Sequence, residues 1–283
     1  MDIERFLQDE RLPAGYAAVV EHVHRPLAVR MHKQALARGH FVVGLCGAQG
    51  SGKSTMARSL WALLESQGLS CAVVSLDDLY LTRTEREALA ERAHPLLITR
   101  GVPGTHDVRL GIETLEALKR PGEVALPRFD KSSDDRRPID AWPRVQAPVQ
   151  VVLFEGWCVG AAPQDDAALA RPVNSLECEQ DPDGRWRRFV NDALRTDYQA
   201  LFALLDMLIL LQTPSFDVVY AWRLEQERKL REREERPGSR IMNEAEIARF
   251  IAHYERLTRH ILEEMPRRAD VVLRLNEERE PVL

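Results

Sequence analysis

The chain contains no uninterrupted apolar run near the roughly 20 residues that a membrane-crossing helix needs, so no segment reads as a membrane span. It has no basic excess. The 39 Lys and Arg stand against 44 Asp and Glu, a net charge of −5, which argues against a nucleic-acid binder. Its four cysteines, at 46, 71, 158 and 178, show no metal-ligand spacing. Cys46 and Cys71 fall in apolar runs and read as small core residues. The opening Met1-Asp2-Ile3-Glu4-Arg5 is acidic and has no signal-peptide core. With the scattered thiols, this sets the expectation of a reducing, cytoplasmic location. No internal repeat, low-complexity tract, Ser-His-Asp or Cys-His signature stands out in the 283 residues. What remains is 45% hydrophobic and 29% charged, enough to bury a core as one large α/β domain or two small ones.

What the chain does have is Gly47-Ala48-Gln49-Gly50-Ser51-Gly52-Lys53-Ser54-Thr55. The apolar run Phe41 to Cys46 precedes it, and a segment able to form a helix follows, from Met56 to Leu64. Strand, glycine-rich loop and helix is the context in which G-x-x-x-x-G-K-[ST] binds phosphate. The glycines let the backbone curl its N–H groups inward around a polyphosphate, and the helix N-terminus adds partial positive charge. Lys53 is expected to reach the outer phosphates and Ser54 to ligate Mg²⁺. ATP or GTP is the expected ligand.

The other elements follow in order. Residues 1–40 read as a helical cover beside the nucleotide domain, bounded or kinked at Pro13 and Pro26. His22 and His24 lie two apart, share no helix face, and read as surface residues. Ser70 to Leu76 is a second parallel strand, ending at Asp77-Asp78-Leu79-Tyr80. In open α/β sheets, chemistry sits beyond the carboxyl ends of the strands. Asp77 there can take a proton from an attacking hydroxyl, or simply cap the turn; Asp78 reads as a cap or as a water-mediated contact to Mg²⁺. Residues 85–93 form a short charged helix. In the loop 94–107, Arg100, Thr105, His106 and Asp107 are groups suited to a small polyol acid, and Thr105 or Asp107 caps the helix over 108–120. Arg128, Asp130 and Lys131 crowd two cations and a carboxylate together. They read equally as a carboxylate-binding loop and as a solvated one, and polar loop continues over 132–148. Val149 to Phe154 is a third strand closing on Glu155-Gly156-Trp157, a pattern resembling a Walker B acid that orders Mg²⁺. Residues 161–184 read as a loop with little chemistry, 185–205 as one amphipathic helix, 206–212 as a fourth strand and 216–235 as a long mixed-charge helix. The last is either a solvated face or a lid over about 223–243 that brings Arg228 or Arg231 to the phosphates. A capping box at Asn243 opens a final helix, and 269–275 is a fifth strand.

Together, these motifs resemble the D-glycerate 3-kinase family of plants and fungi and its bacterial relatives, within the group holding phosphoribulokinase, uridine kinase and pantothenate kinase. R-G-V-P-G-T-H-D at 100–107, L-P-R-F-D-K-S at 126–132 and F-E-G-W at 154–157 carry the resemblance, over roughly residues 40–275. It implies a P-loop NTPase fold with a five-stranded parallel sheet flanked by helices, an N-terminal helical extension over 1–40, and a kinase domain over 41–283. It implies Asp77 as catalytic base, Lys53 and Ser54 in the phosphate loop, and Glu155 beside the metal. Asp107 is implied as a contact to substrate hydroxyls, with Tyr80, Arg128 and Lys131 at the substrate, and Arg228 and Arg231 in the lid. ATP and Mg²⁺ are the implied cofactors and a small anionic hydroxy acid, D-glycerate, the implied acceptor. Two other readings stay open: a kinase for another small alcohol such as a nucleoside, pantothenate or a sugar phosphate, and a nucleotide-switched protein acting through a partner. Neither a nucleic-acid partner nor a membrane is expected.

Overall fold

The structure, a computed structural model, describes residues 1–233 and 243–282, with side chains given up to 225 and again from 243. Five strands form its central sheet: β1 Phe41–Gly47, β2 Cys71–Ser75, β3 Val151–Gly156, β4 Met207–Gln212 and β5 Val271–Arg274. They run parallel in the order β2-β3-β1-β4-β5, so β1 lies at the centre and the chain leaves it toward both sides. That crossover is where a doubly wound sheet opens a crevice for a ligand.

Strand side chains alternate between faces, and the two faces build two cores. Phe41, Val43 and Leu45 of β1 join Val151, Leu153, Met207 and Ile209 on one face, under helix Lys53–Ser66 and the N-terminal helices. Val42 and Cys46 join Val152, Phe154, Leu208 and Leu210 on the other, under helices Val108–Ala117, Asp197–Phe202 and Glu244–Glu264. Both faces are covered, which is why these strands read as continuous apolar runs.

Residues 1–40 pack into the first of these cores through Val20, Val23, Leu27, Ala28, Met31 and Ala35. The helix that begins at Tyr16 contains a π-turn, Val20–His24, just before Pro26. Each additional residue rotates a helix face by about 100°, and the wider turn swings His24 inward. His24 is therefore buried, its Nδ1 2.9 Å from Ser59 Oγ, and is not the surface residue expected; His22 is exposed.

Three further expectations change. The polar stretch 132–148 contributes to two small antiparallel ribbons, Gly122–Ala125 with Arg144–Ala147 and Phe129–Asp130 with Asp135–Arg136. The single helix over 185–205 is two, Arg185–Arg195 and Asp197–Phe202, broken at Thr196, whose hydroxyl donates to the Asp192 carbonyl at 2.9 Å. The stretch 161–184 holds helix Ser175–Gln180 and two buried ion pairs. Arg256 Nη2 meets Glu177 Oε2 at 2.7 Å, and Arg187 Nη1 meets Asp181 Oδ2 at 3.0 Å.

Candidate active site

The phosphate loop leaves the C-terminal end of β1. Gly50 and Gly52 adopt φ of 81° and 88°, left-handed values that glycine takes without a steric penalty. Gly52 caps helix Lys53–Ser66 without any side-chain bond to its first turn, so the helix opens with its N–H groups free for an anion.

Glu155 lies on β3 beside both neighbours, in register with Leu45 of β1 and Ser75 of β2. Its Oε1 accepts from the Ser54 hydroxyl at 3.0 Å and the Ser75 hydroxyl at 2.9 Å. Its Oε2 is buried without a partner. A buried carboxylate oxygen left bare is costly, and a hard cation would satisfy it. An oxygen-only set of Glu155 and Ser54, completed by phosphate and water, suits Mg²⁺, which keeps much of its hydration. Among the described residues, no cluster of three or more His, Cys, Asp or Glu could hold a metal unaided. The residues therefore fit a metal that arrives with a nucleotide.

Asp77 stands just past β2. The turn is capped by Ser75, whose Oγ accepts from the Asp77 N–H at 3.3 Å, so the Asp77 carboxylate is not used as the cap. It accepts instead from the Tyr80 hydroxyl at 2.7 Å and from Lys131 Nζ at 2.6 Å. Burial pushes the Asp77 pKa up, but Lys131, Lys53 and the two hydrogen bonds outweigh it and hold the carboxyl well below its ordinary range. Asp78 anchors the neighbouring hairpin, accepting from Phe129 N–H at 3.0 Å and Arg128 Nη1 at 3.3 Å. Burial raises its pKa, the hairpin contacts opposing.

The loop 100–107 lies across this edge. Leu81 N–H donates to Thr105 O at 3.0 Å, and Asp107 N–H to Leu79 O at 2.7 Å. Asp107 is the cap of helix Val108–Ala117, accepting from Leu110 N–H at 3.0 Å, and its other oxygen accepts from Arg136 Nη2 at 3.2 Å. Thr105 is fully buried. Its hydroxyl accepts from Gly101 N–H at 2.8 Å and donates to Val102 O at 2.7 Å, so it locks the loop and does not face a ligand. Arg100 pairs with Asp134 and lies over the Phe129 ring. Gly101 has φ of 123°, and a Cβ there would collide with the Tyr254 hydroxyl. His106 is buried, stacked on Tyr80 with ring centroids 4.8 Å apart.

Of the substrate residues read from the sequence, the structure brings together Asp77, Tyr80, His106, Asp107, Arg128 and Lys131. It withdraws Thr105 into the backbone and commits Arg100 to Asp134. Helix Asp217–Arg233 covers the first half of the lid expected over 223–243, but the side chains of Arg228 and Arg231 and residues 234–242 lie outside the described residues. Arg136, Arg86 and Tyr198 were not legible. Arg136 ties Asp107 to the Tyr80 carbonyl, at 3.0 Å for the latter. Buried Arg86 donates to Ile98 O at 2.7 Å and Asp134 O at 2.8 Å, fastening the hairpin to the loop. Only the run Asp134-Asp135-Arg136-Arg137, beside the motif at 126–132, offered a signal for any of them.

The profile of the Phosphoribulokinase / Uridine kinase family matches residues 42–162. Over 240 residues, the chain is 35% identical to a Schizosaccharomyces pombe protein named uncharacterized kinase mug58, covering 79% of this chain and 82% of that one. Over 263 residues, it is 32% identical to the chloroplastic D-glycerate 3-kinase of Arabidopsis thaliana, covering 86% of this chain and 54% of that enzyme, about half the plant protein's length. The D-glycerate 3-kinase structure from Cryptococcus neoformans superposes with a TM-score of 0.75 at 25% identity, over 94% of this chain and 98% of that one.

Proposed function

Because the chain belongs to the Phosphoribulokinase / Uridine kinase family and is an ATP-dependent phosphotransferase acting on small molecules, we propose that its acceptor is D-glycerate and its product 3-phosphoglycerate. One observation carries the catalytic part: an ionised carboxylate, Asp77, held by Tyr80 and Lys131 beside the phosphate loop at the carboxyl edge of the sheet. The names of the plant and Cryptococcus relatives support the substrate, and so does Lys131, a cation 59% exposed beside Asp77.

In this reading, the loop from Gly47 to Thr55 wraps the phosphates and Lys53 reaches the outer ones. Ser54 and Glu155 would hold Mg²⁺, which when bound would neutralise charge on the phosphate oxygens. The acceptor hydroxyl lies against Asp77. Held below its ordinary pKa, Asp77 is ionised at neutral pH and only weakly basic. That suits a loose phosphoryl-transfer transition state, in which the proton leaves the hydroxyl late, once its oxygen has begun to bond phosphorus. Lys131 keeps Asp77 oriented and lends charge to an anionic acceptor. The reaction is proposed to run in the cytoplasm, a setting that the free thiols of Cys46, Cys71, Cys158 and Cys178 suit.

The test is ADP release with ATP and Mg²⁺ against D-glycerate, L-glycerate, pantothenate, uridine, ribulose 5-phosphate and no acceptor. Release dependent on D-glycerate, with 3-phosphoglycerate as product, is the expected result. Release on another member moves the substrate and keeps the kinase.

A further inference from the structure

His106 has a consequence beyond its place in the loop. Its Nδ1 lies 2.5 Å from the Tyr198 hydroxyl oxygen, and its Nε2 is buried without a partner. That oxygen already accepts from Gly104 N–H at 3.0 Å. A phenol has one proton to give. The backbone of His106 itself also bonds that oxygen, so both lone pairs are taken by backbone N–H groups, the Tyr198 O–H is directed at Nδ1, and Nδ1 is the bare, accepting nitrogen. Burial pushes the His106 pKa down to about 3, against the pull of Asp77, so the ring is neutral at working pH and carries its one proton on Nε2. The ring cannot turn to hide this donor, because it is stacked on Tyr80 and set edge-on against Tyr198.

We infer that Tyr198 is a positioning residue that locks His106 in its Nε2–H tautomer, and that this unpartnered donor binds an oxygen of the acceptor substrate. This rests on the kinase reading above. A bare buried N–H is unfavourable until an acceptor arrives, and Tyr80, which shares the stack, holds Asp77 through its own hydroxyl. A substrate oxygen on Nε2–H would thus be fixed relative to the base through two stacked rings. The break at Thr196 that splits the helix over 185–205 precedes Tyr198 by two residues, so the departure from one continuous helix occurs next to the residue that needs to face His106.

The lock is read without any substrate, by ¹⁵N-imidazole NMR of the whole protein, with His106 assigned by its loss in His106→Gln. The unmodified protein is expected to show a single Nε2–H tautomer at neutral pH, and Tyr198→Phe a mixture of the two. In turnover assays, Tyr198→Phe is expected to raise the acceptor KM about 5- to 10-fold, the worth of about one hydrogen bond, with the KM for ATP unchanged. His106→Gln, which can still present an amide N–H at similar reach, is expected to retain more acceptor affinity than His106→Asn. An Nδ1–H tautomer in the unmodified protein would overturn the lock. Unchanged tautomer and KM in Tyr198→Phe would overturn the role of Tyr198. Absence of turnover on every acceptor with the Nε2–H tautomer intact would overturn the kinase reading, and the substrate half of the inference with it.

Discussion

Two groups of charged side chains, one buried and one at the edge of the sheet, are built differently. In the segment 161–184, the buried charges, Glu177 and Asp181, are saturated. Arg187 gives Nε to Leu169 O at 2.7 Å and Nη1 to both Asp181 O and Asp181 Oδ2, while Asp181 also accepts from Trp186 N–H at 2.7 Å. Arg256 meets both oxygens of Glu177 and also donates to Ala168 O and Arg171 O. At the carboxyl edge of the sheet, the charges are half-exposed and bonds are left over. Glu155 Oε2, His106 Nε2, Arg136 Nε, Ser51 Oγ and Gln49 Oε1 are all buried and bare. Saturation marks charge used to hold a chain in place. Bare atoms also occur beside the saturated pairs, at Trp186 Nε1 and His253 Nε2, but those belong to uncharged rings; the bare carboxylate oxygen of Glu155 is the one that calls for a partner that is not protein.

The largest effect that would sharpen this contrast is on the bare side. Lys53→Ala is expected to cut turnover about 10²- to 10³-fold with an unchanged melting temperature, checked by ADP release beside a thermal melt. The reverse split is expected on the saturated side. Arg187→Ala strands Asp181 as a buried unpaired charge and should cost about 3–5 kcal/mol of stability, read by denaturant unfolding, while the folded fraction keeps its kcat/KM. An intermediate effect comes from pH. Burial lowers the pKa of His24 to about 4, of His106 to about 3 and of His253 to about 4. In the unfolded chain these groups protonate near pH 6.5, so between that pH and their folded values the unfolded state binds more protons. Stability is then full above about pH 6.5 and falls by a few kcal/mol as the pH drops toward 4, which the denaturation midpoint against pH will show. The smallest change in stability is expected at Lys131, which is 59% exposed. Lys131→Ala should alter stability by less than about 0.5 kcal/mol. Yet because Lys131 depresses the Asp77 pKa, its removal should move the acid limb of the pH–rate profile to higher pH.

The same contrast separates what was legible in the sequence from what was not. The five strands, the phosphate loop, Asp77 and Glu155 are local features: apolar runs, three of them ending in a glycine or an acid, each carrying its signal within a few residues. Tyr198 and Arg136 act through partners far along the chain, His106 for one and Asp107 and Tyr80 for the other, and nothing near them announces those partners. Glu177 and Asp181 looked like surface acids in a polar stretch because the arginines that bury them are on other helices. His24 was misread because a π-turn shifts the helical phase, and residue spacing assumes that phase constant. Thr105 suits either a ligand contact or a helix cap by its polarity, but within a glycine-rich loop a hydroxyl is as readily used by neighbouring backbone.

The account turns on Asp77 as the group that takes the acceptor's proton, and the most direct measurement is kcat for Asp77→Asn with ATP, Mg²⁺ and the acceptor found in the panel. A fall of about 10²- to 10⁴-fold with an unchanged melting temperature is the predicted result. Near-full turnover by a correctly folded Asp77→Asn protein would contradict it.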